Sequence, residues 1–208
     1  MILISSPRGY KSHWIALALE DSMASEHLPQ IPSKLFLTRG SGRHRFRAQS
    51  LELAYRNAGI QKFNLVKVSG IVPARCKFIN AREGISNLSP GQVAYGVISE
   101  IASNEPNRLI GAGVAVAKAI KDQYGYISHH EGYGLTEERL RDEVDDAAVT
   151  MLATTLGIEF DPAKNYDERK EIYRMSGYTV RARNIVQTAE GDKNGLWTTV
   201  IAAAIFII

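Results

Sequence analysis

Residues 197–208 form a twelve-residue apolar run at the end of the chain. A membrane-spanning helix needs about 20 such residues. The run is too short for that, and its Val, Ile and Thr content favours an extended backbone. It reads as a buried strand, and the rest of the chain has to supply what buries it. With 208 residues, the chain is long enough for one domain with a sizeable core.

Several segments can supply that cover. Residues 34–38 read as a short strand broken by Gly40-Ser41-Gly42. Residues 46–57 have helical spacing, with Leu51, Ala54 and Tyr55 on one side and Gly59 as the stop. Residues 63–69 predict a strand that leads into a turn around 70–73. Residues 92–101 and 108–117 are apolar and β-branched, with Asn104-Glu105-Pro106-Asn107 between them. That pattern predicts a hairpin. Residues 124–128 form another short strand.

The strongest helical segment is 136–156. Thr136 can cap it, Glu137 and Glu138 suit its first turn, and Gly157 ends it. Leu140, Val144, Ala148, Met151, Leu152 and Thr155 make its expected buried stripe. A shorter helix is expected over 167–175, then strands near 178–188 and 196–208. Strands with helices set among hairpins suggest a layered α+β sandwich. Residues 1–33 read as a poorly ordered extension with at most one short helix near 12–24, and residues 34–208 as the folded domain.

Charge and cysteine content narrow the partners. A formal net charge of +3 implies neither nucleic acid nor a membrane. The basic cluster Arg39, Arg43, His44, Arg45 and Arg47 has only Phe46 interleaved, so it reads as a solvated loop or subunit contact. The single cysteine, Cys76, excludes an intramolecular disulfide and lacks local partners for zinc. No metal site is expected, and a reducing cytoplasm is the simplest setting. The apolar stretch 14–19 stops after six residues at Glu20 and Asp21. A secretory segment needs about 7–15.

Specific blocks carry a family resemblance. They are Arg56-Asn57-Ala58-Gly59-Ile60, then Asn64-Leu65-Val66-Lys67-Val68-Ser69-Gly70-Ile71-Val72-Pro73, then Ser103-Asn104-Glu105-Pro106. Gln123-Tyr124-Gly125-Tyr126-Ile127-Ser128-His129-His130 and the stretches 151–159 and 189–199 follow in order. From about Ile31 onward, the chain resembles the pyruvoyl-dependent arginine decarboxylases. The resemblance implies a four-layer αββα sandwich, a trimer with sites between subunits, and conversion of arginine to agmatine and carbon dioxide.

It also implies a cofactor made from the chain. That family has two adjacent serines at its self-cleavage site. The second attacks the preceding carbonyl, and elimination and hydrolysis leave a pyruvoyl group whose ketone acts as the electron sink. Here Ser69 matches the first serine, but the second position is Gly70, which can neither attack nor eliminate. Processing shifted to Ser69 would move the ketone by roughly 3.3 Å and turn it to the other face.

A second departure is His129, which stands where the resemblance places a proton-donating glutamate; Glu131 lies two residues on. Asn64 matches an asparagine that supports processing and catalysis. Glu52 matches an acidic residue that receives the substrate guanidinium. Taken together, these residues predict an arginine-binding family member that does not form pyruvoyl and is weakly active or inactive. The alternative is a silent regulatory or scaffold subunit in a mixed trimer with an active paralogue.

Overall fold

The last strand organises the fold because both of its faces are apolar. In strand β10 (Trp197–Ile207), Val200, Ala202, Ala204 and Phe206 join one buried cluster, while Ile201, Ala203, Ile205 and Ile207 join another. A strand buried on both faces needs cover on both sides, and its side chains alternate between the two. The computed structural model of the chain describes residues 30–119, 123–157, 172–175 and 178–208. The proposed extension and the helix at 12–24 lie almost wholly outside these residues.

The architecture is mixed α/β and dominated by two five-stranded sheets. In the first sheet, β10 is central. It pairs antiparallel with β1 (Lys34–His44) on one side and β5 (Val93–Ser103) on the other. Strand β2 (Asn64–Lys67) runs parallel to β5, and β4 (Lys77–Phe78) runs parallel to β1. The second sheet has the order β3 (Ile71–Val72), β7 (Gly125–Tyr133), β6 (Leu109–Ala119), β9 (Tyr178–Glu190), β8 (Ile172–Met175).

Three apolar clusters hold these elements together. The middle one lies between the sheets, where Leu35, Val200, Ala202 and Phe206 meet Ile110, Ala112, Val114 and Val116. Helices α1 (Arg47–Asn57) and α2 (Ala81–Ser86) cover the first sheet through Ala54, Ala58, Ile85 and the outward row of β10. Helix α3 (Glu137–Thr155) covers the second sheet with Leu140, Val144, Ala148, Val149, Leu152 and Ala153. Thr136 caps α3 by accepting the Arg139 amide at 3.3 Å. The fold of residues Pro32–Ile208 forms one compact unit. Among the described residues, no helix is long and apolar enough to cross a membrane.

Four local expectations need correction. Strand β1 does not break at Gly40-Ser41-Gly42 but continues to His44. A Cβ on Gly40 would run into the Ala54 carbonyl, and one on Gly42 into the Ser50 carbonyl. Glycine here is an interior strand residue that lets a helix backbone approach closely. Ser50 Oγ and Thr199 Oγ1 are 2.6 Å apart in the same contact.

The predicted hairpin is instead a crossing between sheets. β5 belongs to the first sheet and β6 to the second, and they do not pair. The turn around Asn104–Asn107 is present, and Asn107 has φ 60°. Its Asn107 amide donates to the Gly191 carbonyl at 3.0 Å, joining it to the β9–β10 loop. Turn chemistry cannot tell a hairpin from such a crossing, because both reverse the chain between apolar runs.

The third correction concerns residues 167–175. Ile172–Met175 is strand β8, paired with β9 from Ile172↔Arg181 to Met175↔Tyr178. Residues 167–171 and 176–177 lie outside the described residues. Finally, Met151 and Thr155 on α3 are exposed, and Val149, Ala153 and Asp145 take the inward places.

Candidate functional site

Val68, Ser69 and Gly70 carry the chain from one sheet to the other. β2 ends at Lys67 on the first sheet and β3 begins at Ile71 on the second. At the departure, the Val68 amide donates to the Gly96 carbonyl at 3.0 Å. At the arrival, the Gly70 carbonyl accepts from the Ile127 amide at 2.7 Å. The segment is thus hydrogen-bonded at both ends.

Gly70 is buried and has φ +96°. A Cβ there would lie 2.7 Å from the Ile127 carbonyl oxygen, 3.3 Å from Ile127 Cβ and 3.4 Å from Val97 Cγ2. Both the backbone angle and the space suit glycine. Ser69 is exposed beside it. The residues here do not fit a pyruvoyl group at position 70, since glycine has no side-chain atom from which to make one.

Next to this crossing is an open cleft of about 280 Å³. Lys67 and Val68 line it from the end of β2, Val97, Ile98 and Glu100 from β5, and His129 and Glu131 from β7. The parallel pairing Lys67↔Gly96 brings β2 beside β5. The two-residue repeat of β7 puts His129 and Glu131 on one face. Val97 lines the cleft and also touches the space where a residue-70 side chain would begin.

The polar groups are tied to the scaffold. Tyr55 Oη, from α1, donates to Glu100 Oε2 at 2.9 Å. Lys67 Nζ lies 3.4 Å from the same oxygen. Burial, the Glu100 charge and this hydrogen bond together hold the Tyr55 phenol well above its usual pKa. Tyr55 is therefore a neutral donor at physiological pH. Ser99 Oγ lies 3.0 Å from Glu131 Oε2 and 2.8 Å from the His130 carbonyl oxygen. The cleft thus presents two carboxylates, an ammonium and an imidazole. Such a set can receive a guanidinium or amine at one end and a carboxylate at the other.

The residues expected from sequence do not all meet there. His129 lines the cleft, and Ser69 and Gly70 directly follow its wall residue Val68. Asn64 lies at the far end of β2, where its Nδ2 donates to the Gly91 carbonyl at 2.6 Å. Glu52 lies on α1 and forms an ion pair with Arg56 at 2.5 Å; it is not among the residues lining the cleft. Glu100, Tyr55 and Ser99 are not among the site residues expected from sequence. Their signal was weak because each sits in an apolar strand or a helix face, and only the sheet pairing converges them.

The basic cluster has structural work. Arg39 donates to the Val186 carbonyl at 2.8 Å and Arg43 to the Glu190 carbonyl at 3.0 Å, bracing β1 against β9. Arg47 lies over the Trp197 ring. Cys76 is buried, and among the described residues no cluster of His, Cys, Asp or Glu could hold a metal ion.

Comparison with known proteins agrees with the sequence blocks. A family model described as pyruvoyl-dependent arginine decarboxylase matches residues 34–208. A relative from Chloroherpeton thalassium, called a probable pyruvoyl-dependent arginine decarboxylase, is 54% identical over 178 residues. That match covers 85% of this chain and 98% of the relative. One from Chlorobium limicola with the same description is 52% identical, over 85% of this chain and 98% of its own. The "Pyruvoyl-dependent arginine decarboxylase 2" of Methanosarcina acetivorans is 47% identical, over 85% of this chain and 97% of its own. The chain belongs to the pyruvoyl-dependent arginine decarboxylase family.

Proposed function

We propose that this protein is an uncut family member that keeps a cleft for an arginine-like molecule but does not decarboxylate it by the family's route. One observation carries this reading. Position 70 holds a glycine in a left-handed conformation, with a carbonyl oxygen 2.7 Å from where a side chain would start. The backbone angle and the space at this crossing suit glycine, and the pyruvoyl-forming side chain is missing from it.

The cleft beside it keeps recognition chemistry. Glu100 and Glu131 suit the guanidinium and amine of an arginine-like ligand, and Lys67 suits its carboxylate. His129 provides a proton-carrying group in place of the family glutamate. The order helix, sheet, sheet, helix in the core clusters supports a four-layer αββα sandwich of the pyruvoyl-dependent decarboxylase type. A trimer is part of the same reading. Edge strands β2 and β3 and the crossing between them expose Val66, Ile71 and Val68 beside the cleft, and exposed apolar groups at a sheet edge favour burial against another subunit.

Intact-mass spectrometry after long incubation should show one uncleaved chain, and labelled arginine should release no carbon dioxide. Arginine should still bind in calorimetry, and Glu100→Gln should weaken it roughly tenfold. Two fragments meeting near residue 69, with a blocked N-terminus on the longer one, would overturn the reading.

A further inference from the structure

The space between the two sheets ends in positive charge on the side of β4. Along β6, Ile110, Ala112, Val114 and Val116 face the other sheet, and Lys118 is the next residue in that row. Along β9, Ile185 packs into the same cluster, and Arg183 and Arg181 continue its row. The register pairs Val116 with Arg183 and Lys118 with Arg181. The inward face of a sandwich, apolar for most of its length, thus ends in three cations. Phe78 of β4 closes the opposite wall.

These residues and Ala119 line a cleft of about 270 Å³. Among the described residues, no carboxylate lines it. Like charges directly opposite on neighbouring strands repel, and the register sets Lys118 opposite Arg181. Lys118 is anchored, with Nζ donating to the Ala74 carbonyl at 2.9 Å and the Cys76 carbonyl at 2.7 Å. Those dipoles hold its ammonium in the cleft wall. The Arg183 guanidinium carbon lies 4.7 Å from the Phe78 ring centroid, and both side chains line the cleft. Among the described residues, neither Arg181 nor Arg183 has a carboxylate partner. Arg39, in contrast, spends its donors on a carbonyl and on Glu137.

We propose that this cleft is a binding site for a small, multiply charged oxyanion, either a phosphate ester or a polycarboxylate. Arg181 and Arg183 would clasp its oxygens, Lys118 would supply the fixed charge behind them, and Phe78 would bound its apolar side. Planar forked donors suit such oxygens. The site uses β4, β6 and β9, whereas the arginine-like cleft uses β2, β5 and β7, so it stands apart from that reading and survives its failure.

The test is calorimetric titration of the intact 208-residue protein with inorganic pyrophosphate and, separately, with citrate, at low and at physiological ionic strength. At least one should bind saturably at one site per chain, and added salt should weaken it. Arg181→Ala and Arg183→Ala should each weaken that binding roughly tenfold, while Arg45→Ala, a cation over Phe46 elsewhere on the surface, should leave it unchanged. Which probe binds assigns the phosphate or the carboxylate chemistry. Circular dichroism of the variants checks that they fold; if an alanine variant fails, the Arg→Lys variant at that position keeps the charge and should retain part of the affinity. Absence of saturable binding by both probes would overturn the site, as would equal loss in Arg45→Ala. A change of oligomeric state in the arginine variants, with no anion bound, would overturn it in favour of a contact between copies.

Discussion

A single left-handed glycine separates two consequences that are easily merged. At Gly70, an added Cβ meets both an unfavourable φ and a carbonyl oxygen; at Gly91, φ is +82° and nothing lies within 4 Å. Gly91→Ala should therefore cost about 1–2 kcal/mol from the backbone alone. Gly70→Ala should cost about 1–3 kcal/mol more from crowding. Urea denaturation midpoints at matched slopes would measure both, and equal losses would show that the crowding at Ile127 is relieved without cost. Cys76 provides a second test at this scale. Burial pushes its thiol up to about 11 from 9.0, and the nearby Lys118 ammonium only partly opposes this. Because the folded value is the higher one, the thiol's contribution to stability is present below about pH 9 and is lost as pH rises towards 11. Cys76→Ala should flatten that alkaline decline. Iodoacetamide at pH 8 should leave native Cys76 unmodified and label it in denaturant; rapid native labelling would contradict its burial.

Elements were legible from sequence where local chemistry and packing agree. Thr136, the acidic first turn and Gly157 frame α3 within a residue of expectation, because capping is a local interaction. Thr136→Ala should lower stability by about 1 kcal/mol, read as a shift in thermal midpoint. Strand β1 shows the opposite case. Gly40 and Gly42 are turn residues by composition, yet they sit mid-strand because α1 crosses them at backbone contact. Gly42→Ala should cost about 3 kcal/mol, more than an exposed strand glycine, because neither backbone can give way. A neutral result in equilibrium unfolding would mean that α1 can lift off the sheet. Strand β8 lies where the sequence predicts a helix for a related reason: four residues carry too little periodicity to outweigh pairing with β9.

Across the whole molecule, the two sheets leave clefts along different strands, and the exposed apolar edge lies beside one of them. Sedimentation should give a trimer. The double substitution Val66→Glu with Val93→Glu, both at exposed positions on neighbouring strands, should give monomers with unchanged circular dichroism. A wild-type monomer would remove the subunit contact from the reading. By itself, the sequence determined the family, the central buried strand, the capped helix and the missing serine. Each of these depends on residue identity, short-range spacing or an ordered set of short blocks. Only the tertiary structure decided that β5 and β6 lie in different sheets, that Tyr55, Lys67 and Glu100 converge beside His129, and that three cations end the inner face. Those facts depend on which strands pair at long range, and strands with both faces apolar look alike in sequence whichever neighbours they take.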